Sequence, residues 1–156
     1  VTKDSDYSAA YIQCCEMLND FCEVDFVDLN LGCPIDVVCN KGAGSALMQR
    51  QSRMRRIIQT CSEVLTNCPL TIKMRKGYAD NKPVAHELMP KLRGWGVSAV
   101  TVHGRSRQQR YSKLADWQYI QRCAEASSPS PEKMSWSRAS LYGAPTSSSQ
   151  SAASTL

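Results

Sequence analysis

Two hydrophobic periodicities divide the first 126 residues of the chain into helices and strands. Apolar positions that recur every three to four residues predict helices over 6–22, 45–67, 83–95 and from Trp117 onward. Shorter apolar or alternating runs predict strands at 24–31, 70–75 and 98–102. Strands that alternate with helices at this spacing are typical of parallel βαβ units, so the chain is predicted to belong to the α/β class.

The second predicted strand has the clearest alternation. Its apolar residues at 70, 72 and 74 alternate with Thr71, Lys73 and Arg75, which predicts one buried and one polar face. Pro90 lies inside the third predicted helix and is expected to kink it.

The pattern stops at residue 126. Residues 127–156 contain 11 serines in 30 positions and no valine, isoleucine, phenylalanine or cysteine. A segment of this composition is expected to be disordered. We therefore predict two regions: a folded α/β region over 1–126 and a Ser-rich tail over 127–156. Because the chain begins with Val1 rather than methionine, it is expected to be a fragment or a trimmed product. The Ser-rich tail is expected to be an alternatively spliced or frameshifted end.

Composition favours an intracellular protein. The 156 residues include 19 basic and 14 acidic side chains, a modest excess that favours a polyanionic partner only weakly. Most of the eight cysteines lie within helical and strand patterns and none forms a Cys-x-x-Cys pair, which favours a reducing compartment. His86 and His103 are not spaced as zinc ligands, so no structural metal is expected. No apolar run approaches the ~18 residues that a membrane-spanning helix needs.

The segment most suggestive of chemistry follows the first predicted strand. Cys33 lies there between Gly32 and Pro34, in a loop just past the strand end, where (β/α) barrels place their catalytic groups. A free cysteine titrates near ~8.5, so it is protonated at neutral pH and can donate a proton. The alternative is a small buried hydrophobe. Cys39 lies beyond the turn that Gly32 and Pro34 shape, and it is expected to be structural.

A glycine-rich turn, Gly42-Ala43-Gly44, follows this loop. It does not match a phosphate-binding loop, since no Gly-Lys-Ser/Thr follows and the glycines lie about ten residues beyond the strand.

Three ordered motifs carry a family resemblance. They are Asn30 with Gly32-Cys33-Pro34 and the run from Gly42 to Met48, then 71–77 (TIKMRKG), then 102–107 (VHGRSR). Together they resemble the flavin-dependent tRNA-dihydrouridine synthases, and the motif sequences most resemble those of the eukaryotic enzymes that act on the tRNA variable loop. The resemblance implies a TIM (β/α)8 barrel. A complete barrel needs ~250 residues, so we expect a partial barrel of about three βα units followed by the disordered tail.

The resemblance also implies a reaction and a site. The family reduces uridine in tRNA to 5,6-dihydrouridine, with a hydride from reduced FMN to C6, a proton from a cysteine to C5, and NADPH as reductant. By position, Cys33 is implied as the acid, with Lys73, His103 and Asn30 as cofactor contacts. Arg105 and Ser106 are implied as substrate contacts. Each has a structural alternative, such as a solvated edge lysine for Lys73 or an uninvolved surface arginine for Arg105.

Two basic clusters accompany these motifs. Arg50, Arg53, Arg55 and Arg56 are predicted to form the solvated face of the second helix. The other cluster follows the third predicted strand, where a tRNA backbone can reach it, and contains Arg105, Arg107, Arg110 and Lys113.

Two hypotheses from different classes remain. The first is a segment of a tRNA-uridine reductase in an intracellular compartment, cytoplasmic or nuclear. The second is a non-catalytic truncated product that binds neither FMN nor tRNA productively. A flavin barrel that reduces a free pyrimidine is a third alternative, disfavoured by the basic cluster and the Gly-Cys-Pro signature.

Overall fold

The computed structural model describes residues 4–128, with side chains from residue 9 onward. The predicted Ser-rich tail therefore lies outside the described residues, apart from Ser127 and Ser128. The helices are α1 (Asp4–Phe21), α2 (Asp36–Asn40), α3 (Gln51–Val64), α4 (Ala85–Gly94) and α5 (Trp117–Ser127). The strands are β1 (Val27–Leu31), β2 (Leu70–Arg75) and β3 (Ala99–His103).

The three strands form one parallel sheet in the order β1-β2-β3. A helix follows each strand, so β1–α3, β2–α4 and β3–α5 are three successive βα units. This arrangement confirms the predicted α/β class and the partial barrel of three units.

One face of the sheet packs against the helices. Leu70, Ile72 and Met74 of β2 are at most 2% exposed and face the core, as their alternation predicts. The apolar stripe of α3 covers them with Met54, Ile57, Ile58 and Cys61. Burying each such side chain contributes about 1.5–3 kcal/mol, so this face holds the units together. Pro90 lies on the exposed side of α4, which continues to Gly94.

The structure corrects several predicted boundaries. β1 begins at Val27 rather than residue 24, because backbone pairing starts where Val27 N donates to Pro69 O at 3.1 Å. Val24 and Phe26 precede it and are exposed. The helix predicted from residue 45 is divided into a 3₁₀ stretch, Gly44–Gln49, and α3. The sequence pattern also missed α2.

The predicted solvated face of α3 is partly wrong. Arg50, Arg55 and Arg56 are exposed, whereas Arg53 is 8% exposed. Among the described residues, no helix combines the length and apolar character needed to cross a bilayer.

Candidate functional site

The polar face of the sheet carries the candidate site. Strand register places Asn30 beside Lys73, and Arg75 beside His103. These residues lie on the face opposite the helix-packed core, because side chains alternate across a strand. In a barrel this face is the interior, and the carboxyl ends of parallel strands meet at the catalytic end.

A pocket of about 430 Å³ opens at this end of the sheet. It contains four of the six predicted site residues, namely Asn30, Cys33, Lys73 and His103. Its other lining residues come from the Cys33 loop, the end of β2 and the loop after β3: Gly32, Pro34, Ile35, Met74, Arg75, Arg110 and Tyr111. Arg105 and Ser106 do not line it.

Asn30 shapes the loop that carries Cys33. Its Oδ1 accepts hydrogen bonds from the backbone N–H groups of Gly32 at 3.0 Å and Cys33 at 3.1 Å. An asparagine side chain that bonds its own backbone a few residues ahead forms a compact turn. The amide oxygen is therefore used within the loop, and the Nδ2 group is the part of Asn30 that can meet a ligand.

The backbone carbonyl of Cys33 is held from the other side. It accepts hydrogen bonds from Ser45 N at 3.1 Å, Ser45 Oγ at 2.8 Å and Cys39 Sγ at 3.5 Å. Cys39 is 7% exposed, in agreement with its predicted structural role. Gly44 has φ +55°, and a Cβ there would lie 2.9 Å from the Cys33 carbonyl oxygen. The glycine-rich turn thus packs directly against the cysteine loop.

His103 presents a hydrogen-bond donor to the pocket. Its Nδ1 accepts from the backbone N–H of Arg105 at 3.2 Å, which assigns the proton of the neutral ring to Nε2. Burial lowers the pKa of His103, and the charges of Arg75, Arg105 and Lys73 lower it further. The ring is therefore neutral at pH 7.

Lys73 and Arg75 supply positive charge from β2. Lys73 is exposed on the polar face, between Asn30 of β1 and Thr101 of β3 in the strand register. Burial lowers the pKa of Arg75, but the usual pKa of arginine is so high that the guanidinium stays charged.

Sequence reasoning missed the role of Arg75. This residue is 2% exposed and donates to three backbone carbonyls: Gly32 at 2.8 Å, Ser106 at 3.1 Å and Arg110 at 2.9 Å. One guanidinium therefore ties the Cys33 loop to the loop after β3. The sequence did indicate a functional position, because Arg75 is a charged residue on the polar face at the carboxyl end of a predicted strand.

Arg105 and Ser106 have partners outside the pocket. Arg105 Nε donates to the carbonyl of Lys113. Ser106 is fully buried, and its Oγ donates to Asp80 while its N–H donates to Gln109 Oε1 at 2.8 Å. The structure gives Ser106 a role in shaping the loop after β3.

The basic cluster after β3 is largely paired with acidic side chains. Arg107 and Arg110 both pair with Asp36 at the start of α2, the Arg110 contact being 2.8 Å. Lys113 pairs with Asp80 at 3.3 Å. The two Asp36 pairs connect residues 104–116 to α2, and the Asp80 pair connects them to the loop between β2 and α4. All three pairs reduce the net charge that the cluster offers to a polyanion.

No metal-binding group of three or more His, Cys, Asp or Glu side chains occurs among residues 4–128. All eight cysteines lie in this part of the chain and all are free thiols.

Comparison with known proteins identifies relatives of this chain. The family model for dihydrouridine synthase matches residues 5–129. A rat and a human protein, each named tRNA-dihydrouridine(47) synthase [NAD(P)(+)]-like, are 54% identical over 119 residues. A Cryptococcus neoformans protein, tRNA-dihydrouridine(47) synthase [NAD(P)(+)], is 55% identical over 104 residues, which are 66% of this chain and 14% of the fungal protein. The rat and human matches cover 76% of this chain but 18% of each relative, so the chain spans about a fifth of their length.

Proposed function

The chain belongs to the dihydrouridine synthase family, and on this premise we propose that it contributes the acid and part of the flavin site of a tRNA-uridine reductase. The proposed reaction reduces the 5,6 double bond of uridine to dihydrouridine. The observation that carries the proposal is one pocket that contains Cys33, Lys73 and His103, each from a different βα unit.

The residues on the pocket wall suit the ring of a reduced flavin. That ring carries negative charge along its N1–C2=O edge, and a lysine ammonium on the polar face can neutralise it. The Nε2–H of His103 can donate to a carbonyl oxygen of the same ring. We therefore propose that Lys73 and His103 hold FMN, with the Nδ2 group of Asn30 as a third contact. FMN, when bound and reduced by NADPH, supplies the hydride to C6 of uracil.

Cys33 is proposed to donate the proton to C5. Its backbone N–H and C=O are both held, by Asn30 on one side and by Ser45 and Cys39 on the other. A thiol on a fixed loop needs little reorganisation before proton transfer. A cysteine thiol carries the proton that it donates, so it can serve as an acid without a partner base.

The proposed substrate is uridine within tRNA. The names of the rat and human relatives support this assignment, and a tRNA substrate would place the chain in the cytoplasm or nucleus. Arg105 is half-buried and remains a proposed contact to tRNA phosphate. Ser106 is not carried further as a substrate contact, because its hydroxyl is buried against Asp80.

The test uses a chimaera in which the matched 119 residues of the human relative are replaced by the corresponding residues of this chain. We expect the chimaera to form dihydrouridine in tRNA, and Cys33→Ala to abolish product while flavin content and tRNA affinity are retained. Loss of a general acid lowers rate by about 10²–10⁴-fold. Cys22→Ala is the matched control, since Cys22 is exposed and lies outside the pocket.

Undiminished turnover by Cys33→Ala would overturn the assignment of the acid. An inactive chimaera beside an active human protein would overturn the proposed reaction for this segment and favour the alternative. The alternative is a non-catalytic product that binds neither FMN nor tRNA productively. It is favoured by one observation: within the described residues, the outer edges of β1 and β3 have no strand partner.

A further inference from the structure

Tyr111 combines exposure with a place in the wall of the pocket. Its side chain is 70% exposed, yet it lines the same pocket as Cys33, Lys73 and His103. A large aromatic ring that stays accessible at the mouth of a polar pocket offers a flat surface for a planar ligand. The proposed cofactor contacts do not use this ring.

The ring of Tyr111 is held from one side. The Arg75 guanidinium lies over it, with Cζ 5.2 Å from the ring centroid. His103 contacts it edge to face, with ring centroids 6.4 Å apart and an interplanar angle of 69°. One face of the Tyr111 ring therefore packs against the buried Arg75 guanidinium. The exposed part of the side chain is the remainder of its surface.

The backbone that presents Tyr111 is also fixed. Arg110, the preceding residue, has φ +48°, a left-handed conformation that few non-glycine residues adopt. Its carbonyl accepts from Arg75 Nη1 at 2.9 Å, and its guanidinium pairs with Asp36 at 2.8 Å. Strained backbone of this kind persists where the surroundings determine it strongly.

We propose that Tyr111 is the stacking surface for the uracil base that Cys33 protonates, a role that rests on the proposed function. A base inside a folded tRNA is stacked between its neighbours and must be extruded before its C5 and C6 are accessible. A pre-oriented aromatic ring replaces the lost base stacking, and it does so without reading hydrogen-bond donors and acceptors. Because Arg75 also bonds the Gly32 carbonyl, the stacking ring and the cysteine loop share one support.

The experiment compares Tyr111→Ala with Tyr111→Phe in the chimaera defined above. Phenylalanine keeps the flat ring and removes only the hydroxyl, so its KM for tRNA should stay within about twofold of the parent. Alanine removes the ring, and its KM should rise about tenfold or more, because stacking on an aromatic side chain contributes strongly to base binding. Flavin content should be unchanged in both variants. Trp117→Ala is the matched control, since Trp117 is 75% exposed and lies outside the pocket.

Each other outcome overturns the inference in a distinct way. An unchanged KM for Tyr111→Ala would show that no base stacks there. A loss of FMN in Tyr111→Ala at unchanged KM would show that the ring contacts the flavin instead. A rise in KM that Tyr111→Phe shares would assign the effect to the hydroxyl.

Failure of the proposed function is separate, because it removes product from the parent chimaera itself. Thermal unfolding by circular dichroism checks that the variants are folded.

Discussion

At the scale of single residues, the position of Cys33 depends on a glycine eleven positions later in the chain. Gly44 has a left-handed φ of +55° and lies against the cysteine loop. A Cβ there would approach the Cys33 carbonyl oxygen to 2.9 Å, and Cys33 Cβ and Val38 Cγ1 to 3.0 Å. Two of these three contacts are with the residue that we propose as the acid.

Gly44→Ala should therefore destabilise the fold and displace Cys33. We expect a loss of about 1–3 kcal/mol in the free energy of unfolding, because left-handed backbone is strained for alanine and the contacts are too close. Gly94→Ala is the matched control. A Cβ at Gly94 meets nothing within 4 Å, and alanine at this end of α4 should be neutral or stabilise by up to about 1 kcal/mol. Urea unfolding of both variants measures the difference, and equal stability would contradict the close-packing argument.

At the scale of elements, α2 connects the Cys33 loop to residues 104–116. The Asp36 carboxylate forms ion pairs with Arg107 and Arg110 of the loop after β3. The same loop carries Tyr111 at the pocket mouth. The Asp36 side chain is 59% exposed, so each pair contributes only about 0–1 kcal/mol. Such pairs restrain a loop locally without dominating the stability of the whole fold.

Asp36→Asn should loosen residues 104–116 while global stability changes little. Removing the charge weakens both pairs, and a combined loss of about 1 kcal/mol corresponds to roughly fivefold faster amide exchange in the loop. Asp25→Asn is the control, because Asp25 is exposed and lines a different cavity. Hydrogen exchange followed by mass spectrometry resolves the loop from the sheet. Exchange in 104–116 equal to that of the parent would show that Asp36 does not restrain it.

At the scale of the whole molecule, the described residues form one wall of a barrel. The three strands present polar side chains on one face, and the outer edges of β1 and β3 have no strand partner among residues 4–128. Unpaired strand edges are templates for association with another chain. A flavin held by Lys73 and His103 would be covered by these residues from one side.

The isolated 156-residue chain should accordingly retain much less than one FMN per chain and should self-associate. Flavin fluorescence after purification with excess FMN measures the first property, and size-exclusion chromatography with light scattering measures the second. The matched chimaera is the positive control for flavin retention. A monomer that holds one FMN per chain would contradict this prediction and show that one wall of the barrel suffices.

The sequence by itself determined the alternation of strands and helices, the limits of β2, and the presence of a third strand that ends within one residue of the predicted position 102. These features are local: alternation over six residues identifies a strand buried on one face, whatever it pairs with. The same local reading placed Cys33 on a loop after a strand.

Only the tertiary structure decided which residues meet. The start of β1 depends on pairing with the residues before β2, a contact that local periodicity does not encode. Arg75 reaches partners 43, 31 and 35 positions away, and so joins two loops that the sequence leaves separate. The family resemblance implies Ser106 as a substrate contact. In the structure Ser106 is buried, and its hydroxyl donates to Asp80, 26 positions earlier in the chain. Such contacts depend on how the sheet brings distant segments together, and adjacent residues do not specify that arrangement.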